Sequence, residues 1–381
     1  MKKIAFFIPD LGGAGAERVV SNLSIALSKH NYEVYIILYN EKEIAYEYGG
    51  KIITLDKEKR DYKVFGKIFR FINRTIELKR VKKRYNFDIV ISFLENPDFQ
   101  NILTKGTEKV YISVRNFASK SYALKKKLLA KLLYNKADLV IAVSKEIRDD
   151  LAKNFHISKD KIKVIYNPYD IDKVNALAKE TVEEKYKKLF EKKVIINAGR
   201  LTYQKGQWHL IRAFSWVCSE VKDAELVLLG EGPLKLQMEE LATKLNIYNK
   251  VHFIGFQDNP YKYMKNSALY VLTSLFEGFP NALVEAMVCG LPIISANCKS
   301  GPKEILGSYN YSQQYGVLTD EFDSEMDIES VILSKEEKKL ALEICSLLKD
   351  EDVIESFKQK SLKRASDFEA SKIIEKWLEI L

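Results

Sequence analysis

Two carboxylates, Glu277 and Glu285, frame the stretch Glu-Gly-Phe-Pro-Asn-Ala-Leu-Val-Glu. Upstream, the apolar run 269–276 reads as a buried strand; downstream, Leu283, Ala286 and Met287 recur at helical spacing. The pattern predicts a strand, a tight turn marked by Gly278 and Pro280, and a helix whose first backbone N–H groups point beyond the strand end. Such a turn suits a phosphate or a sugar hydroxyl. Glu277 is expected on the lip of the turn and Glu285 about two helical turns further in, too far apart to share a proton. They are read as gripping two parts of one long ligand. Spacing alone favours a plainer reading, in which Glu277 is a loop carboxylate and Glu285 a solvated helix position.

Two further strand-to-helix turns carry chemistry. In Asn-Ala-Gly-Arg-Leu-Thr-Tyr-Gln-Lys-Gly, residues 197–206, Arg200 and Lys205 follow an apolar strand. A diphosphate leaving group gains negative charge as it departs, and a planar Arg fork with a Lys point charge stabilises it most at that moment. In Asp-Leu-Gly-Gly-Ala-Gly-Ala-Glu-Arg, residues 10–18, Gly13 and Gly15 open a helix after the first strand and could bring backbone N–H groups to an anion. A dinucleotide fingerprint fits poorly there: the third glycine position is Arg18, and no acidic residue closes the second strand. A tight turn with no ligand is also open for this loop.

Taken in order, these motifs resemble those of glycosyltransferase family 4, the retaining nucleotide-sugar transferases of GT-B architecture. The resemblance rests on Gly-Gly-x-Gly-x-Glu-Arg, on Gly-Arg-Leu followed by Lys-Gly, on Gly230-Glu-Gly-Pro233, on Val251-His-Phe-Ile-Gly-Phe256 and on the Glu277–Glu285 stretch. It implies an α/β fold of two doubly wound Rossmann-like domains facing a central cleft. It further implies that Arg200 and Lys205 hold the diphosphate, that Glu285 takes the ribose hydroxyls, and that Glu277 takes the donor-sugar hydroxyls. By the same carry-over, Gly278, Phe279 and Pro280 offer backbone to the sugar and phosphate, Gly255 and Phe256 meet the base, and Gly13 and Gly15 face the donor. The segment Ser300-Gly-Pro-Lys-Glu304 is similar to one in bacterial members that build surface glycans. Where many members carry a histidine after the fifth strand, this chain has Arg115 and Asn116. These two are assigned to the acceptor or a phosphate, with no histidine role transferred. No Asp-x-Asp follows an apolar strand, so no essential metal is expected, and the resemblance calls for no cofactor beyond the donor, expected to be UDP-linked.

The elements that must position these residues alternate between strand and helix patterns, which argues for parallel sheets covered on both faces. Strands are predicted near 4–8, 34–39, 52–55, 89–93, 110–114, 139–143 and 163–166, then, beyond a Pro- and Asx-containing linker at 167–172, near 193–197, 225–230, 251–254, 269–273 and 292–296. This gives an N-terminal acceptor-side domain at 1–168, a nucleotide-sugar domain at 169–364, and a tail at 365–381 with Ile373, Ile374, Trp377, Leu378 and Leu381 on one face, which in the family crosses back to the first domain. The acidic stretch 320–329 reads as a surface loop.

Length and composition suit two globular domains with full cores and argue against disorder. Cys218, Cys289, Cys298 and Cys345 lack metal spacing and read as reduced thiols. No run of about 18 apolar residues occurs, and the apolar start 4–8 is broken by Pro9-Asp10, so it reads as a strand and not as a signal segment. Residues 1–166 hold 33 Lys and Arg against 19 Asp and Glu, more than the whole chain's excess of +9. The densest part, 57–84, interleaves Lys63, Lys67, Arg70 and Arg74 with an apolar stripe of Val64, Phe65, Ile68, Phe69, Phe71 and Ile72. Such a helix lies either on an anionic membrane or against the core with a solvated basic face. Nucleic acid is not expected, because no binding module accompanies the charge.

Together these features predict transfer of a hexose or N-acetylhexosamine to a glycan acceptor, lipid-linked, by a cytoplasmic protein peripheral to the inner membrane face. An epimerase of the same fold, a membrane-bound scaffold without turnover and a dinucleotide oxidoreductase are the rival readings.

Overall fold

The computed structural model describes residues 1–12, 15–41, 44–56, 66–307 and 314–381. The chain packs as two units, Met1–Pro168 with Ala370–Leu381, and Tyr169–Glu369.

The first unit is built on seven parallel strands: β1 (Lys3–Phe7), β2 (Glu33–Leu38), β3 (Lys51–Thr54), β4 (Ile89–Phe93), β5 (Lys109–Val114), β6 (Leu139–Ala142) and β7 (Ile162–Val164). Their order is β3-β2-β1-β4-β5-β6-β7. Ile4 of β1 pairs with Val34 on one side and Ile89 on the other. Because helices cover both faces of a parallel sheet, its central strands read as unbroken apolar runs, and every residue of β4 is buried. The order turns back on itself between β1 and β4, which opens a crevice beyond their C-terminal ends.

The terminal helix Ala370–Leu378 belongs to this unit's core. Ile373 and Trp377 are fully buried, and the Trp377 and Phe93 rings stack with centroids 6.4 Å apart. The Tyr111 hydroxyl donates to the Ile380 carbonyl at 2.9 Å, fixing the last turn. The basic helix begins at Gly66 and runs to Tyr85. Its expected start at 63–65 lies outside the described residues. Leu78 and Val81 face inward, whereas Ile68, Phe69 and Ile72 of the expected apolar stripe face water.

The second unit repeats the design with β8 (Lys193–Ala198), β9 (Ala224–Leu229), β10 (Val251–Gly255), β11 (Leu269–Leu272), β12 (Ile293–Ala296) and β13 (Val317–Thr319). Their order is β10-β9-β8-β11-β12-β13, again reversing beside the first strand. β13 has no counterpart among the predicted strands, since three residues carry too little periodicity to register.

The acidic stretch 320–329 is irregular, but it is more than a surface loop. Phe322 and Ile328 are buried in the core, and Phe322 stacks on His209 at 4.5 Å. Arg212 donates to the Asp327 carbonyl at 2.6 Å and, through Nε, to Glu337 at 2.8 Å. Glu337 also meets His209 Nδ1 at 2.6 Å, and it closes a capping box with Ser334 at the start of the helix Lys335–Lys349. This buried cluster ties that helix and the acidic stretch to the helix Gln207–Glu220. Burial pushes the Glu337 carboxyl up, but hydrogen bonds from His209 and Arg212 outweigh it and hold the group below the ordinary carboxylate range. Glu337→Gln leaves Arg212 buried without its counter-charge, so it is expected to cost about 3 kcal/mol at neutral pH. A folded-state pKa below the unfolded value contributes stability above about pH 4.3 and loses it as pH falls through the folded pKa. Denaturant titrations of both proteins across this range should therefore show the difference shrinking on acidification.

Candidate active site

The site assembles where the second sheet reverses, at the C-terminal ends of β8 and β11. Asn197, buried near the end of β8, donates to the Val271 carbonyl of β11 at 2.7 Å and pins the two strand ends together. Gln207 donates to the Arg200 carbonyl at 3.1 Å, bracing the loop that follows β8 from within. The loop ends at Gly206, whose φ is +57° and whose added Cβ would lie 2.5 Å from the Thr273 carbonyl oxygen. Only glycine permits that approach, and the approach delivers Lys205 to Glu277.

Lys205 Nζ lies 2.6 Å from Glu277 Oε1, and the Ser274 hydroxyl donates to the same oxygen at 2.6 Å. No donor among the described residues reaches Oε2. Glu277 is thus buried and paired, not perched on an exposed lip as its place in the turn predicts, because Lys205 and Ser274 replace the water it would need. Its backbone is held as firmly. The Glu277 N–H donates to the Lys299 carbonyl at 2.9 Å, and its carbonyl accepts from the Ser300 N–H at 3.2 Å. The buried Ser300 hydroxyl bridges the Glu277 and Gly278 carbonyls at 3.1 and 3.0 Å. Gly301, with φ +96°, sits so close that a Cβ would lie 2.7 Å from Pro280 Cδ. The segment 300–304 is therefore a wall of the turn, leading into the helix Pro302–Leu306.

Pro280 caps the helix Asn281–Val288, and the Tyr169 hydroxyl donates to Asn281 Oδ1 at 2.7 Å. Glu285 lies on the buried side of this helix, so the solvated-helix alternative does not describe it. Tyr270, in β11, is fully buried and lies within the electrostatic reach of both carboxylates. Burial holds its phenol above the ordinary tyrosine value, and the charges of Glu277 and Glu285 push the same way. Burial, with Glu285 nearby, also pushes the Cys289 thiol up to about 12.

Arg200 is exposed, and its guanidinium has no partner among the described residues. The Leu201 N–H donates to the Glu231 carbonyl and the Gly230 N–H to the Gly255 carbonyl, at 2.9 and 2.8 Å, so the turns after β8, β9 and β10 interlock. Phe256 follows as an exposed aromatic. Phe279 is buried and packs edge-on against Phe368, with ring centroids 5.5 Å apart.

In the first unit, Gly15 opens the helix Gly15–Lys29 after β1, while Gly13 lies outside the described residues. Arg115, at the end of β5, donates to Ser113 Oγ at 3.0 Å and to Asn167 Oδ1, with its guanidinium 5.5 Å from the Phe93 ring centre. Asn116 beside it is exposed. Sequence reasoning missed Ser274 and Tyr270. A hydroxyl three residues before a turn carboxylate was the available signal for the first.

Two Rossmann-like units, the second with a carboxylate–lysine pair and a neighbouring arginine at its switch point, define an α/β protein equipped to receive an anionic ligand. The model "Glycosyltransferase Family 4" matches residues 13–173, and "Glycosyl transferases group 1" matches residues 178–363. An uncharacterized glycosyltransferase of Methanocaldococcus jannaschii is 35% identical over 373 residues, covering 91% of each chain. The N-acetylgalactosamine-N,N'-diacetylbacillosaminyl-diphospho-undecaprenol 4-alpha-N-acetylgalactosaminyltransferase of Campylobacter jejuni is 32% identical over 395 aligned positions, covering all of both chains. Anabaena HepE, solved with UDP and glucose, shares the fold with a TM-score of 0.78 at 20% identity, over 100% of this chain and 99% of its own. The chain belongs to the family 4 glycosyltransferases and has their GT-B fold.

Ser274 orients Glu277 without needing to touch a substrate. Ser274→Ala is expected to lower the turnover of sugar transfer about tenfold, the value of one hydrogen bond to a charged group. Steady-state kinetics should show the loss mainly in kcat, with a melting temperature within a few degrees of the wild type.

Proposed function

We propose that this glycosyltransferase moves a hexose or N-acetylhexosamine from a UDP-linked sugar to a lipid-linked glycan acceptor in the synthesis of bacterial cell-surface polysaccharide or glycoconjugate. The observation that carries this reading is the arrangement around Glu277, with one oxygen held by Lys205 and Ser274 and the other left as an acceptor. Glu277 Oε2 would take a hydroxyl of the donor sugar, and Glu285 would take the ribose hydroxyls. Arg200 and Lys205 would face the diphosphate. An ammonium has three donors, so Lys205 can keep Glu277 while binding a phosphate oxygen.

The transfer retains anomeric configuration by front-face attack. The acceptor oxygen bonds to the anomeric carbon as that carbon's bond to the phosphate oxygen breaks. The bonding pair leaves with the phosphate, which takes the acceptor's proton. No side-chain nucleophile is needed, and the two cations supply the positive charge that a metal would otherwise bring to the leaving group. Catalysis then consists of positioning and electrostatics.

The acceptor side falls to the first unit, with Arg115 and Asn116 at the end of β5, and the basic helix Gly66–Tyr85 toward an anionic membrane on the cytoplasmic face. The Campylobacter relative, whose name specifies a diphospho-undecaprenol acceptor, supports a lipid-linked substrate, and the HepE complexes support UDP.

Thermal denaturation with UDP, GDP and ADP tests the donor half. UDP should raise the melting temperature selectively, and Glu285→Ala should weaken its apparent affinity at least about tenfold through the lost ribose hydrogen bonds. Proton NMR of the glycoside formed should show the donor's anomeric configuration. No response to any nucleotide, or an inverted product, would overturn the reading.

A further inference from the structure

The loop after β10 has a support that the residues assigned above do not include. It leaves the sheet at Gly255, whose φ of +84° turns the chain, and runs to Pro260 before the helix Tyr261–Lys265. Gly255 keeps one tie to its neighbours, its carbonyl accepting from the Gly230 N–H at 2.8 Å. Among the described residues no backbone hydrogen bond holds 256–259. Phe256 stands in this loop 66% exposed. An aromatic face left in water is a stacking surface for a planar base, the part of a nucleotide still to be bound once diphosphate and ribose are held. The strand order β10-β9-β8 puts this loop two strands, about 10 Å, from the one that carries Arg200 and Lys205. A nucleoside can bridge that gap.

The loop is fixed by a segment far from it in sequence, 177–190. The Asn259 amide donates to the Leu177 carbonyl at 2.8 Å and to Glu180 Oε2 at 2.9 Å, while its Oδ1 accepts the Tyr261 N–H at 3.1 Å. A reversed amide would set its oxygen against two acceptors, so these partners fix its orientation. Tyr263 is fully buried, its ring beside Tyr186 and Phe190 with centroids 6.3 and 5.8 Å away. Its hydroxyl proton is shared between Glu183 Oε2 at 2.6 Å and Gln257 Oε1 at 2.9 Å. Gln257 in turn donates to the Ile254 carbonyl at 3.2 Å. Both ends of its amide are thus turned back onto the protein, next to Phe256. Lys262 Nζ, 3.0 Å from Glu183 Oε1, completes the set. The hydrogen bond from Tyr263 holds the Glu183 carboxyl down at about 2, so it remains an acceptor at neutral pH.

We infer that Tyr263 and Glu183 are positioning residues for nucleobase recognition. Acting through Gln257, with Asn259 beside them, they hold the loop 255–260 so that Phe256 and the adjoining backbone meet one base in one geometry. This rests on the proposed nucleotide-sugar reading. A loop fixed before the base arrives has little freedom to lose on binding, and fixed groups discriminate between bases by geometry. Released from segment 177–190, the same loop would adapt to several bases and hold each less well.

The test combines amide hydrogen exchange of 255–259 with nucleotide affinity, on the full chain and its Tyr263→Phe, Glu183→Ala and Glu183→Gln variants. Tyr263→Phe and Glu183→Ala should speed exchange in this loop and lower the affinity for UDP about tenfold, the value of one hydrogen bond to a charged group. Affinity for GDP, which shares the ribose and diphosphate, should fall less, so that the UDP-to-GDP ratio narrows. Glu183→Gln keeps an acceptor for Tyr263 and should stay closer to the wild type than Glu183→Ala. The inference alone is overturned if the wild type binds UDP and the variants keep its selectivity, whether both affinities are unchanged or fall in parallel, or if exchange in the loop does not change. A wild type that binds no nucleotide overturns the donor reading, and this inference with it.

Discussion

The ion pair between Lys205 and Glu277 is the contact on which the second unit's site depends. It joins the loop after β8 to the loop after β11, the two strands between which the sheet reverses. Strand pairing alone would leave these loops free to diverge, since the connections run off in opposite directions. As a source of stability the pair counts for little: its Coulomb attraction is largely offset by the cost of taking both ions out of water. Its effect is on geometry. With Ser274 on the same oxygen, Glu277 has one orientation, and a ligand that binds it need not order it first. In the proposed reaction the same lysine would meet a phosphate, so that diphosphate and sugar would be read by one hydrogen-bonded set.

That arrangement requires backbones to approach more closely than side chains allow. The loop carrying Lys205 can reach β11 only because Gly206 has no Cβ to meet the Thr273 carbonyl. The turn carrying Glu277 is closed from the other side by Ser300, whose hydroxyl spans two successive carbonyls. Strand ends, glycine contacts and a buried hydroxyl thus act in sequence. The first places the loops, the second brings them together, and the third stops the carboxylate from turning away.

Much of this was legible in the chain. The parallel strands announce themselves as apolar runs, and the residues expected to meet a donor in the second domain, Arg200, Lys205, Glu277 and Glu285, all fall in one unit near its switch point. What was not legible is of two kinds. A three-residue strand such as β13 lacks enough residues to show a period, and the acidic stretch after it hides Phe322 and Ile328 among charges that suggest solvent. The burial of Glu277 was also out of reach, because spacing along the chain says nothing about a lysine that arrives from a loop 72 residues earlier. Periodicity has a further limit. Ile68, Ile72 and Ile76 show the same spacing whether the ridge faces core or water, and only the inward turn of Leu78 and Val81 decides it.

The distribution of charge separates two ways of attracting an anion. The chain's positive excess lies in its first half, so the half that holds the carboxylate–lysine site is on balance acidic. A long-range field from that half would not draw in a nucleotide diphosphate, and it would be screened within about 10 Å in any case. Binding there has to come from short-range, fixed donors: a guanidinium, an ammonium and the backbone N–H groups of the turns. Such donors discriminate by geometry, which is what a site for one nucleotide sugar among many cellular anions requires. The first unit has the opposite character, with many cations on exposed helices beside apolar ridges. A diffuse positive surface holds an extended anionic layer without choosing between its members. In the proposed reaction this charge asymmetry would divide the work, with selective recognition in one unit and retention at a surface in the other.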